Sequence, residues 1–97
     1  MDELKAELRP VLERMKADGR FPGGVTAHEV IRELGRTRQR VYAGAISEQA
    51  DRDDPFREVH KQISQAVGRL DLVREPRNQE SETIFGEPGT CKAWSWA

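Results

Sequence analysis

The sequence predicts an α+β domain in which three to four helices are followed by a C-terminal β-hairpin. Apolar residues recur at spacings of three and four over the first 70 residues, as the buried faces of amphipathic helices require. This periodicity stops after Leu70, and short extended segments then alternate with residues that favour turns. A chain of 97 residues supports one hydrophobic core, so we expect a single domain over residues 1–97.

The composition is that of a globular protein. Hydrophobic residues make up 36 % of the chain and charged residues 34 %, and no apolar run approaches the length of a membrane span. The first residues lack the pattern of a signal peptide, so we expect a cytoplasmic protein without a membrane partner. Cys91 cannot form an internal disulfide, and with His28 and His60 it shows neither zinc-ligand spacing nor a nucleophile–base pair. No metal, cofactor or enzymatic activity is expected.

A first helix is predicted from five apolar residues that share one helical face: Leu4, Leu8, Val11, Leu12 and Met15. Pro10 lies inside this pattern and removes a backbone donor. The helix therefore either bends at Pro10 or begins near Arg9, with Pro10 in its first turn. Asp18 and Gly19 end it in both cases.

The second helix has the clearest start signal in the chain. Thr26 and Glu29 have the spacing of a capping box, in which each side chain bonds the backbone amide of the other residue. Leu34 is the last predicted helical residue, because Gly35 can adopt the left-handed conformation that ends many helices.

Two further helices are predicted before the hairpin. The weaker pattern places one at residues 37–48, and Asp54 as cap with Pro55 in the first turn begins another at residues 55–70. The last helix carries one continuous apolar stripe: Phe56, Val59, Ile63, Ala66, Val67 and Leu70.

The hairpin is predicted from turn residues and short extended segments. Residues 72–75 indicate a strand, and residues 76–81 have the composition of a loop. Pro88 and Gly89 stand at the two central positions of a type II turn, which would join residues 82–85 to residues 91–96.

Two stretches of the chain resemble parts of a known family. They are VTAHEVIRELG at residues 25–35 and VHKQISQAVGRLDLVR at residues 59–74, and they resemble the winged helix-turn-helix family. In that comparison the second stretch is a recognition helix that runs into the first strand of a wing. The second helix and KAWSW at residues 92–96 are also similar to small winged domains of phage and plasmid primase-helicase proteins. The chain departs from the family over residues 36–54, a segment longer than a helix-turn-helix turn.

The helix at residues 55–70 also presents a face suited to DNA. At 100° per residue, the side opposite the apolar stripe carries Arg57, Lys61, Gln65 and Gly68, with Ser64 beside them. Cations bind phosphates, and Gln, Ser or Arg can bond base edges. The sequence therefore predicts a non-enzymatic double-stranded DNA-binding protein with this helix in the major groove. The resemblance implies a transcriptional regulator or an accessory factor of replication or of a mobile element.

A second basic cluster consists of Arg36, Arg38 and Arg40. These side chains share one face only if the segment is extended, because a helix turns Arg38 away from the other two. Alternatively, the second and third helices form a simple helix-turn-helix pair, with Gly35 in the turn and the segment after it entering the groove.

Acidic residues in the predicted wing oppose DNA binding. Glu80, Glu82 and Glu87 would repel the phosphates that a wing approaches. The alternative function is a protein-interaction module, an adaptor or an inhibitor, which docks through Glu80, Glu82 and the C-terminal Trp94 and Trp96. In a domain of this size we expect the two tryptophans to close the core instead. Whether the chain forms a homodimer is left open.

Overall fold

The computed structural model describes all 97 residues as four helices and five short strands. In chain order these are α1 Asp2–Ala17, β1 Gly24–Thr26, α2 Ala27–Thr37, α3 Gln39–Glu48, α4 Pro55–Val67, β2 Val73–Arg74, β3 Gln79–Glu82, β4 Pro88–Cys91 and β5 Ala93–Ser95. The predicted α+β class is confirmed, and so is the order of helices followed by a hairpin. No helix here combines the length and the apolar character that a membrane span requires.

The helices bury their apolar faces in one core. α1 supplies the five residues that the sequence pattern selected: Leu4, Leu8, Val11, Leu12 and Met15. α1 begins at Asp2 and continues past Pro10, so the alternative of a start near Arg9 is wrong. Pro10 and Ala6, whose carbonyl oxygen Pro10 leaves without a helical donor, are both exposed, and water can bond that oxygen.

The start of α2 is confirmed and its predicted end is wrong. The amide of Glu29 donates to Thr26 Oγ1 at 3.2 Å, and the amide of Thr26 donates to Glu29 Oε1 at 2.8 Å, which completes the capping box. α2 does not stop at Leu34, because the amide of Arg38 still bonds the carbonyl of Leu34 at 2.8 Å. Gly35 is therefore helical and does not take the left-handed conformation.

α3 and α4 lie close to their predicted positions. α3 matches the predicted 37–48 to within two residues, and of its side chains only Ala45 is buried. Asp54 caps α4 by accepting a hydrogen bond from the Arg57 amide at 3.1 Å, with a proline in the first turn. α4 ends at Val67 because the next residues form tighter bonds, such as that from the Leu70 amide to the Val67 carbonyl at 3.0 Å.

Two antiparallel sheets complete the fold. β5 is the central strand of a three-stranded sheet with the order β1–β5–β2, and β3 pairs only with β4. β1 was not predicted, because the pattern around Val25 indicated only the approach to a helix cap. In β1, Val25 lies opposite Trp94. Gly24 packs so closely that a Cβ there would clash with the carbonyl oxygen of Trp94.

The predicted hairpin turn is wrong. Pro88 and Gly89 lie in β4, paired with β3, and β3 covers part of the segment predicted as loop. The chain reverses at residues 83–87, where the amide of Thr83 donates to the Glu87 carbonyl at 2.9 Å. Gly86, with a φ of 77°, supplies the left-handed residue that this turn needs. A proline is tolerated in β4 because β4 is an edge strand.

Candidate functional site

A groove of about 480 Å³ lies between α4, the first half of α2 and the turn of the hairpin. α4 forms one wall with Arg57, Lys61 and Ser64, and its opposite face is fixed in the core by fully buried apolar side chains. Gln65 and Gly68 are exposed on the same side of α4, outside the groove lining. The helical face selected from the sequence is therefore open to solvent.

Three cations line the groove without an acidic partner. Arg57 and Lys61 lie on α4, and Lys92 lies between β4 and β5. None of the three takes part in any of the ion pairs of this structure. Asp54 is the one carboxylate in the lining, and its side chain is engaged in capping α4. The groove therefore carries a net positive charge that is available to an anion.

The second basic cluster is not part of the groove. Arg36 donates two hydrogen bonds to Glu33, at 3.1 and 2.8 Å, and Arg38 donates to Glu7 Oε2 at 2.7 Å. The hydrogen bond from Arg36 holds the pKa of the Glu33 carboxyl below its usual value. Arg40 is exposed but does not line the groove.

The alternative helix-turn-helix pairing of α2 with α3 loses its basis. Gly35, which that pairing needs in the turn, is a helical residue, and only Arg38 separates the two helices. Two of its three cations are committed to carboxylates, so we do not expect α3 to lead into a nucleic-acid groove.

The acidic residues of the hairpin lie outside the groove lining. Along β3, residues alternate between the two faces of the hairpin. Ser81 faces α2, where its hydroxyl lies 3.1 Å from Thr26 Oγ1 and its carbonyl lies 3.2 Å from His28 Nδ1. Glu80 is therefore on the outer face. The Glu82 carboxylate lies 3.9 Å from the guanidinium of Arg32 on α2, and both glutamates are exposed and lie outside the groove lining. The repulsion expected from Glu80 therefore acts on the far side of the hairpin, and Arg32 offsets the charge of Glu82.

A row of four aromatic rings runs from α3 to the hairpin turn, and three of them, His60, Phe56 and Phe85, line the groove. The rings of Tyr42 and His60 stack with centroids 5.9 Å apart, His60 meets Phe56 edge-on at 6.1 Å, and Phe56 meets Phe85 edge-on at 5.4 Å. Phe56 is 37 % exposed and Phe85 is 61 % exposed. The sequence pattern predicts Phe56 in the core stripe and does not indicate Phe85. The available signal was an aromatic residue beside the turn glycine Gly86, where a polar residue is more usual.

Burial shifts the pKa values of the two titratable rings in this row, His60 and Tyr42. Burial lowers the pKa of His60, and the charge of the neighbouring His28 lowers it further. Burial raises the pKa of Tyr42 to about 12. The Tyr42 hydroxyl and His60 Nε2 are hydrogen bonded. Both groups are therefore uncharged at neutral pH, and the free charge of the groove comes from its lysines and arginine.

The C-terminal tryptophans belong to the core. Trp94 is 2 % exposed, with the guanidinium of Arg74 at 5.9 Å from its ring centroid. Trp96 is half-buried, packs against the core, and donates from Nε1 to the carbonyl of Phe21 at 2.8 Å. The expectation that they close the core is confirmed, and Trp94 cannot serve as the docking side chain of the alternative function. Cys91 is a buried, free thiol in the lining of the groove.

Comparison of the chain with protein-family models, with curated proteins and with solved structures found no match. Function is therefore inferred from the groove and from the topology that positions it.

Proposed function

We propose that this chain is a non-enzymatic winged-helix domain that binds double-stranded DNA through α4. The topology supports this fold. The helices are followed by one segment with β2 and β3 and a returning segment with β4 and β5, and these segments pair as β3 with β4 and β2 with β5. The β3–β4 hairpin takes the position of the wing, and α3 is an insertion before the recognition helix. Such a domain suits a transcriptional regulator or an accessory factor of replication.

The unpaired cations on the open face of α4 are the observation that carries the proposal. Arg57 and Lys61 are one helical turn apart, exposed, and free of carboxylates. Guanidinium and ammonium groups in this state can bind phosphates or guanine without first breaking an internal ion pair. Gln65 and Ser64 lie on the same side of the helix and offer hydrogen bonds to base edges.

The first experiment measures binding to a generic duplex by fluorescence anisotropy at low salt, about 50 mM. We expect micromolar binding that weakens steeply as salt is added, because cations on phosphates displace counterions. The double variant Arg57→Glu, Lys61→Glu is expected to abolish this binding.

The matched control is the double variant Lys5→Glu, Arg14→Glu on α1, which makes the same change in net charge. Both residues are exposed, outside the groove and outside every ion pair. This control is expected to retain most of the affinity. Absence of binding by the wild-type chain at low salt would refute DNA binding, and equal losses in the two double variants would refute the role of α4.

A protein-interaction module is the second candidate, and the exposed Phe56–Phe85 pair favours it. Large apolar side chains at the mouth of a groove are typical of docking surfaces for proteins. In this candidate the docking groups are the two phenylalanines, in place of the tryptophans, together with the exposed Glu80 and Glu82 of the hairpin. Its test is a pull-down in which the variant Phe56→Ser, Phe85→Ser loses a partner that Lys5→Glu, Arg14→Glu retains.

A further inference from the structure

The groove has two chemically different walls, and nothing in the DNA-binding proposal uses both. We propose that it binds a small aromatic anion, with a ring against the phenylalanines and a carboxylate or sulfonate against the cations. This goes beyond the proposed function, because it adds a ligand site to the same face of the domain.

The apolar wall is suited to a planar ring. Phe56 and Phe85 are two of the three exposed large hydrophobic residues of the chain, and both lie at this groove. Ile84 stands beside Phe85, and the buried Ile31 also lines the groove. A volume of about 480 Å³ lies within the range of small-molecule sites, which are mostly apolar with a few polar groups. A ring bound here would cover apolar surface that the fold leaves in water.

The polar wall requires negative charge in the ligand. Arg57, Lys61 and Lys92 are unpaired, and the one carboxylate in the lining, Asp54, already accepts a hydrogen bond from α4. A neutral aromatic molecule would leave the three cations without partners, and an inorganic anion would leave the phenylalanines exposed. Only a molecule that carries both features satisfies both walls.

A titration followed by amide NMR shifts tests the site without DNA. The probe is naphthalene-2-sulfonate, and the two reference probes are inorganic sulfate and 2-naphthalenemethanol, which each retain one of the two features. We expect the sulfonate to shift the amides of residues 56–64 and 83–87 and to bind at least about tenfold more tightly than either reference probe.

Variants on each wall make the test specific. Phe85→Ser and Lys61→Gln are each expected to weaken the binding of naphthalene-2-sulfonate by about tenfold. Two control variants are expected to change this affinity by less than about twofold. They are Val73→Ser, at the other exposed large hydrophobic residue, and Lys5→Gln, on α1. The dispersion of the amide spectrum reports directly whether each variant is folded. Shifts scattered over the chain, equal binding of the three probes, or equal losses in variants and controls would overturn the proposal.

The ligand and DNA share Arg57 and Lys61, so each is expected to displace the other. This competition, unlike the ligand site itself, rests on the proposed function. If the sulfonate binds at the groove and the duplex does not bind, the ligand site is supported and the DNA proposal fails. If the duplex binds and the sulfonate causes no localised shifts, the ligand site fails.

Discussion

Thr26 connects the start of α2 to the hairpin, because its hydroxyl oxygen takes part in the helix cap and in a contact with β3. Oγ1 accepts the Glu29 amide at 3.2 Å and lies 3.1 Å from the Ser81 hydroxyl, in a residue that is 7 % exposed. Thr26→Val keeps the branched shape and removes this oxygen. We expect this substitution to lower the free energy of unfolding by about 1 kcal/mol through the lost helix cap and by about 1 kcal/mol through the lost bond to the hairpin.

Urea unfolding followed by circular dichroism at the helix band measures this loss. A small domain changes its unfolding free energy by roughly 1 to 2 kcal/mol per molar urea, so the midpoint is expected to fall by about 1 to 2 M. Thr26→Ser keeps the oxygen and loses one methyl group, and we expect it to cost less than about 1 kcal/mol.

A double-mutant cycle separates the two bonds. Ser81→Ala is expected to cost about 1 kcal/mol in the wild-type chain and almost nothing in the Thr26→Val chain, because its partner is then already missing. If Ser81→Ala costs the same in both backgrounds, or if Thr26→Val is as stable as the wild type, Thr26 does not connect the hairpin to α2 and the reasoning is refuted.

Two further predictions concern stability. Gly24→Ala is expected to lower the melting temperature strongly, because its Cβ would clash with the Trp94 carbonyl, whereas Gly23→Ala meets no atom within 4 Å and is expected to change it little. A Gly24→Ala protein that melts with the wild type would contradict the close pairing of β1 with β5. Burial lowers the pKa of His60 below 6.5, so the unfolded chain binds this proton more readily, and stability is lost as pH falls through 6.5 toward the folded-state value. The unfolding free energy of His60→Phe, measured across this range, is expected to fall less than that of the wild type; an equal fall would show that His60 is not the responsible group.

The helix starts and the exposed face of α4 were predictable because their signals are local. Thr26 with Glu29, and Asp54 ahead of its proline, act within one helical turn, so three or four residues contain the whole interaction. The pairing of Arg36 with Glu33 is equally local and could have been anticipated. The pairing of Arg38 with Glu7 spans 31 positions, and no local pattern contains it.

The hairpin turn and the groove depended on contacts that are distant in sequence. Pro88 and Gly89 satisfy the rules of a type II turn, but Ser81 contacts Thr26 and so places β3 against α2. With β3 placed in this way, the reversal falls at Gly86 instead. Phe85 could not be assigned to the groove until the position of this turn was known.

The pairing of β1 with β5 joins positions about 70 residues apart in the chain. Bringing such distant segments together costs loop-closure entropy, and non-local contacts of this kind slow folding. Most contacts between helices join consecutive helices, whereas β1 obtains its strand partner only when β5 is in place. During synthesis the sheet therefore cannot form before residues 93–95 have left the ribosome, and Trp94 reaches the core in the same late step.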